Sequence, residues 1–306
     1  MEWGLLFEQT LNGIQLGILL FLLASGLTLV FGIMDLMNLA HGSLYMIGAY
    51  ISAAVTILAD SFLLGLAVAL PATLLLGIVL EVAIIRRLYA RGHLDQVLAT
   101  FGMILFFNEL VRLIWGAAGL SVPLPQFLRG SVFLFDLPYP VYRMAVILVG
   151  LGVAAFLYWL VVHTRVGMLI RAGASNREMV GTLGVDIARV FTLVFGLGAA
   201  LAALAGVMAG PIFSVTIGMG EQILILTLVV IVVGGIGSIR GAFVGALMIG
   251  VIDSLARTFL GGFLMLFMTL NQAQTAGPAV ASMMIYIVMA VVLVFRPQGL
   301  FPARTG

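Results

Sequence analysis

Cysteine and lysine are both absent from the 306 residues, and only 8% of the chain is charged. Without cysteine there can be no disulfide, no thiolate catalysis and no sulfur-ligated metal. Without lysine there is no Gly-Lys-Ser/Thr phosphate loop, so the run Gly234, Gly235, Gly237, Gly241 and Gly245 is not a nucleotide site. Histidine is scarce too: His41, His93 and His163 stand far apart with no HxxxH or HExxH spacing, which leaves no metal motif. No nucleophile is placed with a base and no carboxylates cluster, so neither an enzyme nor a catalytic residue is expected. What the chain has instead is 63% hydrophobic residues. A soluble domain carries about a quarter charged residues, and a chain this apolar cannot cover a water-facing surface. Its solvent is lipid.

Apolar runs reach or exceed the roughly 20 residues that a helix needs to cross the hydrocarbon core. They lie at about 12–32, 43–59, 61–85, 94–116, 141–162, 190–212, 222–239, 242–260 and 277–295. The expected fold class is all-α, a polytopic transmembrane helical bundle of about eight to ten spans, some of them broken or half-helices. The 37 glycines fit close helix packing, and the GxxxG spacings Gly237–Gly241 and Gly241–Gly245 fit a helix contact or break. The first ten residues carry Glu2 and Glu8 but no basic residue, unlike a cleaved signal, so the first span is read as retained.

All fourteen basic residues are arginine, and their distribution orients the chain. Arg86, Arg87, Arg91, Arg165, Arg171, Arg177, Arg189, Arg240, Arg296 and Arg304 fall in alternate connections, whereas the opposite loops hold Arg129, with Arg143 at a helix mouth. By the positive-inside rule the N-terminus is expected outside and the C-terminus in the cytoplasm. A single membrane domain over residues 1–306 is expected, with an external loop at 117–140 rich in proline and a cytoplasmic loop at 163–189. A weak internal echo links Gly42-Ser43-Leu44 and Gly48-Ala49-Tyr50 to Gly237-Ser238-Ile239 and Gly241-Ala242-Phe243.

The cytoplasmic loop is too long for a tight turn. Ser175 or Asn176 can cap a short helix whose first turn holds Glu178, with Gly181 and Gly184 bending or ending it. Such a helix offers a knob to a soluble partner. Within the membrane, Asp35, Asn38 and His41 should face protein or water, because a mid-membrane charge costs about 2.5–3.5 kcal/mol. A glycine-rich break there exposes helix termini that suit a zwitterion, which makes Asn38, His41, Gly42 and Ser43 candidates for the translocation path; Asp35 is read rather as a cap at the cytoplasmic interface. Glu109 with Arg112, and Asp253 with Arg257, are spaced as structural ion pairs on single helix faces.

Glu178 followed at six residues by Gly184 resembles the EAA coupling loop of ABC importer permeases, although Met179 and Val180 replace the motif's alanines. Three further stretches resemble the branched-chain amino acid permeases of the LivH and LivM type, more the LivH member: Gly26 to Tyr50, Gly234 to Leu247 and Phe295 to Phe301, together with Leu183 to Asp186. Asp35 and Ser43 depart from the glycine and glutamate of many relatives. The resemblance implies an importer permease of the bacterial inner membrane for amino acids, branched-chain ones first; relatives also move urea, amides or aromatic acids. It implies coupling to ATPase through Arg171, Asn176, Arg177, Glu178, Gly184 and Asp186. The partners implied are a second permease subunit, LivM-like or a second copy, two cytoplasmic ATPase subunits, an extracytoplasmic solute-binding protein and membrane lipid, with no nucleic acid. No cofactor is expected in this chain, ATP and Mg being held by the ATPase subunits. A stand-alone ion-coupled transporter is the other reading; it would need unpaired acidic groups deep in the bundle and leaves the cytoplasmic helix unexplained.

Overall fold

In lipid the backbone must satisfy its own hydrogen bonds, so runs this apolar have little alternative to helix. The computed structural model describes residues 2–134 and 137–301, apart from the side chains of Glu2, Arg177 and Glu178. The helices in chain order are α1 (Glu2–Met34), α2 (His41–Ala59), α3 (Phe62–Leu80), which passes through a π-helical turn (Glu81–Ile85) into α4 (Arg86–Leu88), and α5 (His93–Trp115). After the antiparallel hairpin β1 (Ser131–Leu134) and β2 (Leu137–Pro140) come α6 (Val141–His163), α7 (Arg165–Ser175), α8 (Arg177–Thr182), α9 (Ile187–Phe213), α10 (Met219–Gly234), α11 (Ile239–Leu264) and α12 (Leu270–Phe295). Among the described residues, eight helices are long and apolar enough to cross a membrane, and α10, with 16 residues, is a shorter apolar one. Nine apolar segments are therefore helical, and the chain is an all-α multi-pass membrane protein.

The ninth segment falls short for a local reason. A span is expected over 222–239, but the helix ends at Gly234, where Gly235 and Gly237 take positive φ and Ser238 caps α11 by accepting from the Gly241 amide at 3.1 Å. Sixteen residues rise about 24 Å, less than the roughly 30 Å hydrocarbon core. Gly241 and Gly245 both meet the backbone of α10, at Gly234 and at Val230 with Gly234, so two of the GxxxG glycines let α10 and α11 touch. The last motif closes on the same place: the Leu300 and Phe301 amides each donate at 2.9 Å, to the carbonyls of Val233 and Gly234.

α1 is the central helix. At one end Gly4 packs on Leu137 of the hairpin, and at the other Gly32 packs on Gly237. Between them, Gly13 and Gly17 meet the backbone of α11 at Gly250, Val251 and Ala246, and Gly26 meets Gly198 of α9. The Gly237 end is the arginine-rich one, since Arg240 opens α11 there and stacks over Tyr158, 5.5 Å from its ring, near the end of α6. At the hairpin end, Asn12 accepts from Arg143, the Ser254 hydroxyl donates to the Gln9 carbonyl at 2.8 Å, and the Leu120–Val215 bridge pins the proline-rich loop to the exit of α9.

The chain folds as two inverted halves. The series α1, α2, α3, α5 is matched by α9, α10, α11, α12, with α6 to α8 as the connection. The matching extends to the joints: α1 ends at Asp35 (φ 50°) and α9 at Ser214 (φ 61°), and Ser61 caps α3 as Ser238 caps α11. α1 runs away from the hairpin end, whereas α9 runs toward it, where its Met208 carbonyl accepts from the Tyr142 hydroxyl at 3.0 Å. Inverted repeats of this kind place transport sites where their broken helices meet. The expected echo between Gly42 and Gly237 joins the wrong elements, because the counterpart of α2 is α10.

Candidate functional site

The six residues between α1 and α2 do not simply turn at the membrane surface. Met34 ends α1 at the arginine-rich end, yet the His41 Nε2 lies beside Gly26, eight residues back along α1. That is about 12 Å into the bundle. α2 therefore begins inside the protein, and so does α10, because Gly42 and Gly220 are in contact backbone to backbone. Neither helix start has a side-chain cap: the flanking residues are Ala40 and Gly218. Two helix N-termini, each carrying partial positive charge, thus converge in the interior.

Buried polar groups surround this meeting point. Asn38 and His41 are 2% and 1% exposed; the Asn38 amide has no hydrogen-bond partner, and the His41 ring has no side-chain partner, only the Leu23 backbone of α1 within reach. Ser43 is buried beside them on the first turn of α2. One residue beyond Gly220, Glu221 accepts from the Asn108 amide of α5 at 2.5 Å, and its second oxygen is unpartnered. Unpaired buried polar atoms cost about 1–3 kcal/mol each, so their concentration here marks a site kept for something other than stability. The arrangement suits a zwitterion or water when the contact opens; as it stands, the Gly42–Gly220 contact leaves no room for a solute between the helices. Asp35 takes a different place. It is exposed, in left-handed backbone, and lines a cleft of about 1580 Å³ at the arginine-rich end with Arg171, Asn176, Ser238 and Arg240.

The segment at 163–189 forms two helices rather than one. Thr164 caps α7, accepting from the Gly167 amide at 3.0 Å, and Asn176 caps α8, accepting from Met179 at 2.9 Å. The backbone of Arg177 and Glu178 lies in α8; their side chains fall outside the described residues, as does Arg304. Gly184, at φ 84°, reverses the chain, and Asp186 caps α9 and pairs with Arg189 at 2.8 Å. α8 turns Met179 and Leu183 outward, 58% and 76% exposed among polar neighbours. These two apolar knobs were legible only as replacements of alanine or as helix-end residues.

Both ion pairs form. Asp253 takes the Arg257 Nε on both carboxylate oxygens at 2.8 and 2.9 Å and is buried. Glu109 and Arg112 meet at 2.8 Å but stand more than half exposed on the outer face of α5, not inside the bundle. Two carboxylates escaped sequence reasoning. Glu221 is hidden in an apolar stretch, and Glu81, fully buried at the π-helical turn, stands beside arginines that read as topology signals.

Residues 9–293 match the family model described as branched-chain amino acid transport system / permease component. The chain belongs to that family. It is similar to the high-affinity branched-chain amino acid transport system permease protein BraD of Pseudomonas aeruginosa, with 30% identity over 96% of this chain and 94% of that one. LivH of Salmonella typhimurium is 32% identical over 83% of this chain and 86% of its own. The ribose import permease protein RbsC of Escherichia coli is 25% identical over 82% and 76%. No solved structure matches the chain. The protein is thus a transport permease, not an enzyme.

Proposed function

We propose that this subunit forms part of the path of an ATP-binding-cassette importer for branched-chain amino acids in the bacterial inner membrane. The convergence of the α2 and α10 N-termini on Gly42 and Gly220, with the buried Asn38 amide unpartnered and the buried His41 ring beside them, carries the reading. A zwitterion crossing lipid needs its carboxylate and ammonium met by fixed dipoles. Helix N-termini serve the first; amide and imidazole acceptors serve the second. The permease names of the most similar relatives support a branched-chain amino acid as the solute. RbsC, a ribose permease of lower identity, shows that relatives of this chain carry other cargo, so solute choice rests on side chains at the path and on the delivering protein.

The arginine-rich end is cytoplasmic by the positive-inside rule, which puts the N-terminus outside and the hairpin with the 117–140 loop toward the binding protein. α7 and α8 then project toward the ATPases. Met179 and Leu183 are the apolar contacts that seat in a partner groove, and Arg171, Asn176, Arg177, Glu178, Gly184 and Asp186 shape that knob. The ATPase subunits hold ATP and Mg; this chain contributes no cofactor ligand. The exposed pair Glu109–Arg112 on a membrane-crossing helix argues that this face of α5 meets the second permease subunit rather than lipid, because charge facing hydrocarbon is costly.

The docking claim is tested by Leu183→Arg. The charge sits on an exposed residue, so the permease should fold normally, while the ATPase subunits should no longer co-purify and uptake should stop. Undiminished co-purification would remove α8 from the interface.

A further inference from the structure

We propose that Glu81 is a positioning residue for coupling: its carboxylate ties the start of α9, just past the docking helix α8, to the end of α1, from which the chain re-enters the bundle toward Asn38 and His41. The proposal rests on the importer reading above. Glu81 is completely buried, yet it accepts four hydrogen bonds, from Arg86 Nε at 3.1 Å, Arg86 Nη2 at 2.9 Å, the Tyr89 hydroxyl at 2.9 Å and the Thr192 hydroxyl at 2.7 Å. Thr192 belongs to α9 and also accepts from Arg86 at 2.8 Å, so the cluster bridges elements over a hundred residues apart.

Its other links run to α9 and to the end of α1. Tyr89 lies edge-on to Phe191 of α9, with ring centres 5.2 Å apart, and its hydroxyl reaches the sulfur of Met34, the last residue of α1, at 3.6 Å. Burial, reinforced by the neighbouring Glu81 carboxylate, pushes the Tyr89 phenol above its ordinary value, so it stays a donor. On the far side, α8 ends at Thr182, four residues before Asp186 caps α9. A displacement of α8 must move the cap, then Phe191 and Thr192, and through Tyr89 and Glu81 the end of α1.

A structural role alone does not account for a buried carboxylate here. Apolar packing holds helices at least as well as a buried ion pair, whose desolvation offsets its attraction. What such a pair adds is a fixed geometry between specific groups. The carboxylate also stands at the first residue of a π-helical turn, and single π turns inside α-helices recur at functional sites.

The test compares wild type, Glu81→Gln and Thr192→Val as complete transporters in proteoliposomes, with ATP hydrolysis and leucine uptake measured separately. The proposal expects assembly and hydrolysis to persist while solute moved per ATP falls about tenfold, within the range typical of site-to-site coupling. An unchanged ratio in Thr192→Val, which leaves Glu81 its arginine and tyrosine, overturns it. The same holds if hydrolysis and uptake fall together with yield in both variants, the mark of mere structure. A second readout stands apart from the importer reading. Because the chain lacks cysteine, Met37→Cys, at an exposed position three residues past Met34, reports the re-entrant segment alone. Its thiol-labelling rate should rise several-fold when Thr192→Val is added, even if wild type proves not to be driven by ATP. An unaltered rate means that the cluster does not position that segment, and the proposal fails whichever transporter this is.

Discussion

Alanine at Gly42 tests the re-entrant contact directly. A Cβ built there would lie 2.4 Å from the Gly220 carbonyl oxygen and 2.9 Å from its carbon, whereas ordinary contact begins near 3.4 Å. The backbones must therefore part by about 1.0 Å, the difference of 3.4 and 2.4 Å, and a carbonyl cannot rotate away as a side chain can. Overpacking of a well-filled interior costs about 1–3 kcal/mol, and a backbone obstacle puts Gly42→Ala at the upper end. Gly152→Ala in α6 is the control, since nothing lies within 4 Å of its added Cβ. There the same substitution should stabilise by about 0.5–1 kcal/mol, the usual gain of alanine over glycine in a helix. Unfolding by denaturing detergent in mixed micelles should separate the two variants by about 3–4 kcal/mol, the sum of those effects. Gly42→Ala as stable as Gly152→Ala would refute the contact and, with it, the placement of α2's start inside the bundle.

Other positions give smaller, graded effects. Ser238→Ala should cost about 1 kcal/mol by loss of the α11 cap, and Ser61→Ala less, because its cap bond is longer, at 3.4 against 3.1 Å; thermal unfolding ranks the two. Asp253→Asn should cost about 1–2 kcal/mol, below the full value for a broken buried pair, because Arg257 is half exposed and can turn to water; the same assay reads it. Asn108→Leu strands the Glu221 oxygen that its amide serves, for about 1–3 kcal/mol, and should also depress uptake; stability lost with uptake intact would place Glu221 away from the path.

Hydropathy alone located the eight long helices and marked the ninth, since in lipid an apolar run and a helix are nearly the same statement. Boundaries slipped where backbone, not hydropathy, decides: Gly235 and Gly237 ended α10 early, and the first helix began at Glu2 because Leu5, Leu6 and Phe7 continue a run that Glu8 only interrupts. The break at Asn38 to Ser43 was legible from its glycine and buried-polar pattern, but its depth was not: what draws His41 back toward Gly26 is the fit of Gly42 to Gly220, a contact between residues 178 positions apart. The inverted repeat escaped for a similar reason, since Asp35 and Ser214 share a left-handed φ but not a residue type. In the loop at 163–189, capping chemistry carried part of the reading: of the two candidates Ser175 and Asn176 it is Asn176 that caps α8, whereas the Thr164 cap of α7 and the Asp186 cap of α9 were not foreseen. Glu81 went unnoticed because its four hydrogen bonds come from three residues, of which only Arg86 and Tyr89 are near it in sequence, while Thr192 is 111 positions away.

The central claim is that this permease moves amino acids inward at the expense of ATP hydrolysed by partner subunits. Uptake of labelled leucine into proteoliposomes holding the chain with its second permease, ATPases and binding protein tests it most directly. The account predicts uptake that needs ATP hydrolysis and is indifferent to proton and sodium gradients. Leucine carried by this chain alone down an ion gradient, with ATP irrelevant, would contradict it.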